Sequence, residues 1–413
     1  MSLSAQDFLT DFHHTATIGA TANGGVDRQA GTAKDGEIRS WFRDWGTERG
    51  YPVRVDSIGN MFMLAEWTPG VPFVLVGSHL DSQPLAGRFD GAYGVVAAMH
   101  VLREIDAEVQ ASGEKPSYNL GVVNWFNEEG ARFAPSIMGS SVFVGLMNEQ
   151  DTLSVSDSSG TRVGEALEGI GFLGTDPRPE VATYAEIHIE QGRILEREGI
   201  PLGTVDRSWY TQKLDIEVLG EQSHTGATSM ADRRDALVAA SKIVVMVNEV
   251  TEDFEEDTLL SSVGQMHIEP NSPIVVPRRV HLVADLRSDS QEIVQAARAT
   301  LLEKFDVLAA DHRVEVNVED FDVRPPRHFQ ESGLELVEKL MADKGLDTRR
   351  IRTRAGHDAV ALSTQVPSVL LFVPSVDGVS HCEREFTEDE DLVTGLDALT
   401  EVARALVDGA LQD

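Results

Sequence analysis

The chain has 413 residues but only one cysteine, Cys382, so no disulfide can form within it. This scarcity argues against a small secreted scaffold that is stapled by disulfides. The sequence also lacks any apolar run approaching the roughly 18 to 20 residues that a membrane span needs. The segment from Met1 to Asp7 has neither the basic start nor the apolar stretch of a secretory signal. We therefore expect a cytoplasmic protein without a membrane partner.

Basic residues are also scarce, because 35 Lys and Arg stand against 68 Asp and Glu, for a formal net charge of −33. A nucleic-acid partner would need clustered Lys and Arg to neutralise its phosphates, so we expect none. A strongly hydrated surface and adaptation to a salty environment would both explain the acidity.

The length of the chain predicts about two domains. Apolar residues at helical spacings between Phe8 and Trp45 indicate helices in the first stretch. Alternating apolar residues from Val53 to Met63, around the turn Ser57–Asn60, predict a hairpin. Four short apolar runs separated by helical patterns predict buried strands of an α/β sheet. These runs are Val71–Gly77, Leu120–Phe126, Thr183–Ile189 and Val369–Val373.

The stretch from 211 to 325 has a different texture, with half-exposed strands and amphipathic helices that predict an inserted α+β module. The predicted strands and helices are Leu214–Val218, Asp232–Val250, Val280–Arg287, Ser290–Phe305 and Val314–Val318. The pair Pro325-Pro326 marks the return to the main domain. We therefore place one domain at 1–210 and 326–413, and the inserted domain at 211–325.

The first chemical signal follows the first apolar run and contains His79, Asp81 and Asp90. Functional groups of open α/β sheets gather at the carboxyl ends of the strands, where His79 is expected to lie. Imidazole is a good ligand for zinc and its neighbours, and Asp81 is placed to accept the second N–H of the ring. Asp90 lies in a glycine-rich turn, where its carboxylate can approach two ions and bridge them.

The other three runs also deliver polar groups at the same end. Glu128 and Glu129 follow the second run, His188 lies near the end of the third, and His381 follows the fourth. Adjacent carboxylates repel each other, so the pair needs either cations or the solvent of an exposed loop. With cations present, one carboxylate can be a ligand while the other accepts a proton from water. The repeated placement predicts a single site at this edge of the sheet.

Together these residues resemble the dimetal amidohydrolases related to aminoacylases and zinc carboxypeptidases. The resemblance is greatest to the group of N-carbamoyl-L-amino acid hydrolase, β-ureidopropionase and allantoate amidohydrolase. It covers nearly the whole chain and rests on the segments GGVDR at 24–28, DSIGN at 56–60, GSHLDSQPLAGRFDGAYGV at 77–95, NEEGARF at 127–133, HIEQG at 188–192, QSHTGATSM at 222–230, AGHDA at 355–359 and VPSVDGVSH at 373–381.

The resemblance implies a catalytic domain whose central mixed sheet is flanked by helices, as in zinc exopeptidases. It implies two divalent metal ions, Zn or Mn, Co or Ni, bridged by Asp90. His79 and His188 would complete one metal site, and Glu129 and His381 the other. A histidine at 188, where many related peptidases have a carboxylate, favours the carbamoyl-hydrolase branch.

For catalysis the resemblance implies that Glu128 is the general base and that Asp81 orients His79. Gln191 matches a position close to the substrate amide. His357 matches a loop near the site, where contact with substrate and support of the architecture both remain open.

In the inserted domain the resemblance implies a lid and dimerisation domain with a four-stranded antiparallel sheet and two helices. His224 would polarise the scissile carbonyl, and Asn271 and Arg287 would hold a substrate carboxylate. In the family such residues usually reach across a dimer interface, so a homodimer is expected. A local salt bridge is the alternative role for Arg287.

The implied reaction is hydrolysis of a linear amide C–N bond in a small anionic substrate, most simply an N-carbamoyl amino acid. An allantoate-type amidohydrolase and an aminoacylase-like or dipeptidase-like enzyme are the alternatives. A catalytically silent binding protein would lack Glu128 or a ligand, and the sequence keeps both. The segment Cys382-Glu383, where the family commonly has Ser-Pro, leaves the exact substrate open.

Overall fold

The computed structural model describes residues 3–412, which divide into two compact units. The main unit runs to Arg207 and resumes at His328, and the inserted unit spans Ser208–Arg327. The boundaries expected from the sequence are 210/211 and 325/326. None of the helices in residues 3–412 combines the length and the apolarity that crossing a membrane requires.

The strands, in chain order, are β1 Val53–Val55, β2 Met61–Ala65, β3 Phe73–His79, β4 Asn119–Trp125, β5 Val181–Ile189, β6 Leu202–Ser208, β7 Tyr210–Leu219, β8 Ser223–His224, β9 Leu259–Glu269, β10 Val275–Val276, β11 Arg279–Ser288, β12 Glu315–Arg324, β13 Thr348–Thr353 and β14 Ser368–Val373. The α-helices are α1 Leu3–Thr15, α2 Ala33–Glu48, α3 Ala92–Ser112, α4 Met138–Phe143, α5 Glu149–Leu153, α6 Val163–Ile170, α7 Ile194–Glu198, α8 Ala236–Glu249, α9 Gln291–His312, α10 Glu331–Asp343, α11 Asp358–Leu362 and α12 Asp389–Val407.

The main unit is built on an eight-stranded sheet in the order β1-β2-β4-β3-β5-β14-β6-β13. At its centre, β3 pairs parallel with both β4 and β5, and β5 also pairs parallel with β14. Strand β2 pairs antiparallel with β4, and β6 pairs antiparallel with β14, so the sheet is mixed. This confirms the α/β fold that the four apolar runs predict. Every residue of β3, β4 and β14 is buried, as expected of strands covered on both faces.

Helices α1, α2, α3 and α12 share the largest hydrophobic cluster with the sheet. The predicted helical stretch at the N-terminus forms two separate helices, α1 and α2. The predicted hairpin is confirmed, because β1 pairs antiparallel with β2. Two outer strands, β6 and β13, were not predicted. Strand β13 has the sequence Thr-Arg-Arg-Ile-Arg-Thr, in which a single apolar residue leaves no apolar run to detect.

The inserted unit has a four-stranded sheet in the order β12-β7-β11-β9, with all neighbours antiparallel. Helices α8 and α9 share a separate hydrophobic cluster with this sheet. Helix α8 begins after Asp235, whose carboxylate accepts the N–H groups of Leu237 and Val238. Helix α9 extends to His312, beyond the predicted end at Phe305. The sheet and the two helices match the predicted α+β module, although β9 was not predicted.

Candidate metal centre

The carboxyl ends of the parallel strands carry the predicted polar groups. His79 is the last residue of β3, and His188 lies one residue before the end of β5. The register pairs His79 with Trp125, the last residue of β4, and His188 with Phe372 near the end of β14. Because parallel strands end at one edge of a sheet, the segments that follow them meet there.

The five predicted ligands form two groups that share Asp90. One group is His79, Asp90 and His188, and the other is Asp90, Glu129 and His381; the ligand atoms of each lie within 4.8 Å of one another. Oδ1 of Asp90 lies 2.9 Å from Nε2 of His188 and 3.3 Å from Nε2 of His79. Oδ2 of Asp90 lies 3.3 Å from Nε2 of His381, which also lies 3.3 Å from Oε2 of Glu129. The two oxygens of Asp90 thus face different groups, as a bridging carboxylate requires.

Backbone carbonyls orient two of the imidazoles. Nδ1 of His188 lies 2.9 Å from the carbonyl oxygen of Ile189, and Nδ1 of His79 lies 3.0 Å from that of Asp81. Donation from Nδ1 to a carbonyl leaves Nε2 free to act as a ligand atom. The Asp81 carboxylate was predicted to accept the N–H of His79, but its nearest oxygen is 3.7 Å away. The chain folds back so that the carbonyl oxygen takes this place.

Gly91 allows the turn after Asp90 to pass close to His79. Its φ is +63°, a conformation that costs glycine little. A Cβ atom at this position would lie 2.3 to 2.5 Å from the His79 ring, which is too close for any side chain. The glycine-rich turn therefore brings the bridging carboxylate next to an imidazole.

The charges around these residues fit divalent cations. Five buried carboxylates converge here, namely Asp81, Asp90, Glu128, Glu129 and Glu385. The first four lie within ion-pair distance of imidazoles. Nε2 of His79 makes no hydrogen bond with any residue in the described range, although it is buried. A buried excess of negative charge is costly unless cations compensate it.

The pKa values of the three imidazoles also fit a site for divalent cations. Burial lowers the pKa of His79 and His188, but nearby carboxylates raise both above the ordinary value. Burial likewise lowers the pKa of His381, while Glu129 and Asp90 raise it to about 10. A field that stabilises protons on three imidazoles also stabilises metal cations between them. The residues present therefore fit a dinuclear divalent site.

Glu128 lies beside the first ligand group without belonging to it. Its Oε2 is 3.5 Å from Nε2 of His79, and the residue is 7% exposed. Burial raises the pKa of Glu128 well above its usual range, although His79 opposes this shift. A buried carboxyl with a raised pKa next to a cation site is suited to receive a proton and release it again.

Gln191 and His357 both lie at this centre. Nε2 of Gln191 donates to Oδ2 of Asp90 at 2.7 Å, so its amide already contacts the bridging carboxylate. The buried ring of His357 packs edge-on against His188, with centroids 4.7 Å apart. Its Nε2 lies 3.0 Å from Oγ1 of Thr353. This packing supports an architectural role for His357 behind a ligand.

Three residues at the centre have no role in the sequence analysis. Gln83 donates from Nε2 to Oε2 of Glu129 at 3.0 Å, and from its backbone N–H to Oε1 at 3.1 Å. Ser380 and Glu385 bond to each other and to the segment of Asp90. All three lie within or next to the segments quoted above, but their types and spacing do not reveal these contacts.

The remaining predicted residues belong to the inserted unit. Nδ1 of His224 accepts the N–H groups of Gly226 and Ala227 at 3.0 and 3.2 Å, which leaves the proton on Nε2. Asn271 is exposed in the loop between β9 and β10. The guanidinium of Arg287 donates from Nε and Nη2 to Asp285 at 2.9 and 2.8 Å. The local salt bridge considered for Arg287 is thus present.

Comparison with known proteins agrees with the fold and the motifs. Residues 75–405 match the model of peptidase family M20/M25/M40. The chain is 49% identical to a protein of Mycolicibacterium smegmatis described only in general terms as a hydrolase, covering 98% of this chain and 94% of that one. It is 34% identical to the N-carbamoyl-L-amino-acid amidohydrolase of Rhizobium meliloti, covering 93% and 92% of the two chains.

Two further relatives extend this likeness. The allantoate amidohydrolase of Bacillus subtilis is 30% identical, covering 97% of each chain. The crystal structure of an amidase of the hydantoinase/carbamoylase family from Burkholderia vietnamiensis superposes with a TM-score of 0.93 at 34% identity, covering 99% of this chain and 98% of that one. The chain therefore belongs to peptidase family M20/M25/M40 and is a hydrolase of linear C–N amide bonds.

Proposed function

We propose that this hydrolase acts on an N-carbamoyl amino acid and converts it, with water, into the amino acid, ammonia and carbon dioxide. The observation that carries the proposal is the pair of ligand groups that share Asp90, with the carboxylate of Glu128 beside them. The likeness to the N-carbamoyl-L-amino-acid amidohydrolase of Rhizobium meliloti supports this substrate class.

In this proposal His79, Asp90 and His188 hold one divalent ion, and Asp90, Glu129 and His381 hold the second. When bound, the two ions supply Lewis-acid polarisation of the carbonyl and lower the pKa of the attacking water. Imidazole and carboxylate ligands accept zinc, manganese, cobalt and nickel alike. These ligands therefore favour a dinuclear centre but do not determine which metal it holds.

Glu128 moves the proton. Its carboxylate accepts a proton from water as the oxygen attacks the carbamoyl carbon, and later returns that proton to the departing nitrogen. The backbone N–H of Glu128 donates a hydrogen bond to Oδ1 of Asp81, and this bond helps to hold Glu128 in place. His224 carries its proton on Nε2 and would donate it in a hydrogen bond to the carbonyl oxygen, where negative charge develops.

Arg287 and Asn271 would bind the carboxylate of the substrate, and Gln191 its amide. A guanidinium carries five N–H donors and can bind a carboxylate through two of them, which suits Arg287 to this role. We further propose that the chain forms a homodimer through the inserted unit. His224, Asn271 and Arg287 would then act in the site of their own chain or in that of the partner.

An ammonia-release screen tests the proposal. The purified protein, with manganese or zinc added, is offered N-carbamoyl amino acids, ureidopropionate and allantoate. Ammonia from an N-carbamoyl amino acid, in step with the free amino acid, would support the proposed substrate. Ammonia from allantoate alone would favour the second candidate, which the likeness to the Bacillus subtilis enzyme supports. Cleavage of N-acyl amino acids or dipeptides without ammonia would contradict both.

A further inference from the structure

Glu385 lies buried beneath the turn that carries Asp90. This residue is only 4% exposed, and its Oε1 accepts the backbone N–H groups of Phe89 at 3.0 Å and Asp90 at 3.1 Å. Oε2 accepts the hydroxyl of Ser380 at 2.8 Å. Both oxygens of this carboxylate are therefore bonded to segments that bear candidate ligands, Asp90 on one side and the neighbour of His381 on the other.

The same network reaches the side chain of Asp90. Oγ of Ser380 lies 3.2 Å from Oδ2 of Asp90, the oxygen that faces His381. Nε2 of Gln191 lies 2.7 Å from that oxygen and 3.0 Å from Oγ of Ser380. Glu385 thus holds Asp90 at its backbone. The carboxylate of Asp90 contacts Gln191 and Ser380, and Ser380 also contacts Glu385.

A second observation shows that the turn is shaped around this carboxylate. A Cβ atom at Gly87 would lie 2.0 Å from Oε1 of Glu385 and 2.2 Å from its carboxyl carbon. Any side chain at position 87 would therefore displace either the turn or the Glu385 carboxylate. Glu385 can lie this close to the turn because residue 87 is glycine.

We propose that Glu385 is a positioning residue that fixes the bridging carboxylate of Asp90 between the two metal ions through its hydrogen bonds to the turn. It touches neither substrate nor ion and acts through Asp90 and Ser380. This inference rests on the dinuclear centre proposed above. Groups that orient metal ligands typically change metal affinity by about 10- to 100-fold when they are removed.

The test is manganese affinity, measured by calorimetric titration of the chelator-treated full-length chain. Glu385→Ala removes all three hydrogen bonds, and we expect affinity to fall by about 10- to 100-fold. Glu385→Gln keeps an oxygen for the two backbone N–H groups and an amide that can bond Ser380, so its affinity should stay within about threefold of wild type. Gly87→Ala leaves Glu385 in the sequence but crowds its carboxylate, and should weaken binding as Glu385→Ala does.

Glu383→Gln is the matched control, because this nearby glutamate bonds Thr21 and Asn23 instead of the Asp90 turn. It should bind manganese like wild type. The melting temperature of each metal-free variant separates positioning from folding: a merely structural role lowers that temperature and leaves the affinity of the folded protein unchanged.

Three results would overturn the role of Glu385. They are wild-type affinity in Glu385→Ala, equal weakening in Glu385→Gln and Glu385→Ala, and wild-type affinity in Gly87→Ala. Should Glu385→Ala fail to fold, Glu385→Gln and Gly87→Ala still decide the matter. A wild-type chain that binds no manganese, zinc, cobalt or nickel would contradict the dinuclear centre itself. A wild type that binds two ions, with variants of unchanged metal affinity, would contradict only the role of Glu385.

Discussion

The side chain of Asp81 is hydrogen-bonded to the backbone of Glu128, whose N–H lies 3.3 Å from Oδ1. Oδ2 accepts the N–H of Glu129 at the same distance. The carbonyl oxygen of Asp81 meanwhile orients His79. Asp81 thus connects the end of β3 to the segment after β4. It fixes the ligand His79 and the proposed base Glu128 in position relative to each other.

This arrangement predicts that Asp81 affects turnover more than metal binding. Asp81→Asn keeps the carbonyl that orients His79 and one acceptor oxygen, but loses the second acceptor. We expect metal affinity within about threefold of wild type and a kcat lowered by about tenfold or more. Steady-state kinetics together with metal titration would check this. Equal loss of both quantities would indicate instead that the carboxylate serves His79 directly.

Glu128→Gln should bind metal normally and lose turnover. The amide has the same shape but cannot accept the proton of the attacking water, so kcat should fall by about 10²- to 10⁴-fold. Metal content measured on the same sample shows whether the centre is intact. Full turnover in a metal-loaded Glu128→Gln protein would refute the proposed role of this residue.

Removal of metal should abolish activity and lower thermal stability. A ligand at 100 times its dissociation constant stabilises the folded state by about 2.7 kcal/mol, and the metal-free chain also keeps its buried carboxylates uncompensated. The melting temperature with and without a chelator measures the loss, and added zinc or manganese should restore both properties. His188→Ala serves as the comparison, because its melting temperature should respond much less to added metal.

Arg287→Lys should weaken the binding of substrates that carry a carboxylate. Lysine keeps the charge but not the planar pair of N–H donors, so kcat/KM should fall by about 10- to 100-fold, mainly through KM. An amidated substrate, which lacks the carboxylate, provides the control and should be cleaved equally by both proteins. If the lysine variant processes the acid and the amide with unchanged preference, Arg287 does not bind the carboxylate of the substrate.

His100 should contribute to loss of stability in mild acid. It is 3% exposed on α3, and Nε2 lies 2.8 Å from Asp11. Burial lowers the pKa of His100 below its ordinary value, although Asp11 opposes the shift. Below the ordinary pKa of about 6.5 the unfolded chain therefore binds a proton that the folded chain does not, and stability falls with pH by up to about 1.4 kcal/mol per unit.

Urea unfolding of wild type and His100→Gln between pH 8 and pH 5 measures this effect. The free energy of unfolding should decline more steeply in wild type as pH falls, because the variant has no group to titrate at this position. Both proteins are compared at the same metal concentration, so that the ligands contribute equally. Parallel curves would show that the imidazole at position 100 is not the source of the slope.

The sequence alone determined the framework of the centre. The apolar runs that became β3, β4, β5 and β14 are local signals, because a strand covered on both faces must be apolar throughout. The groups that follow these runs then had to meet, since parallel strands end at one edge of their sheet. The motif resemblance assigned each ligand to one of two ions that share Asp90, and the geometry supports this assignment, as the two oxygens of Asp90 face different ligand groups.

Only the tertiary structure decided which atoms hold these groups in place. Glu385 bonds the amide of a residue 295 positions away, and Asp81 uses its carbonyl where its carboxylate was expected. Such contacts depend on how distant loops fold over one another, which neither residue type nor periodicity predicts. Strands β6, β9 and β13 were missed for a related reason: each is held by its pairing with neighbours rather than by an apolar run of its own.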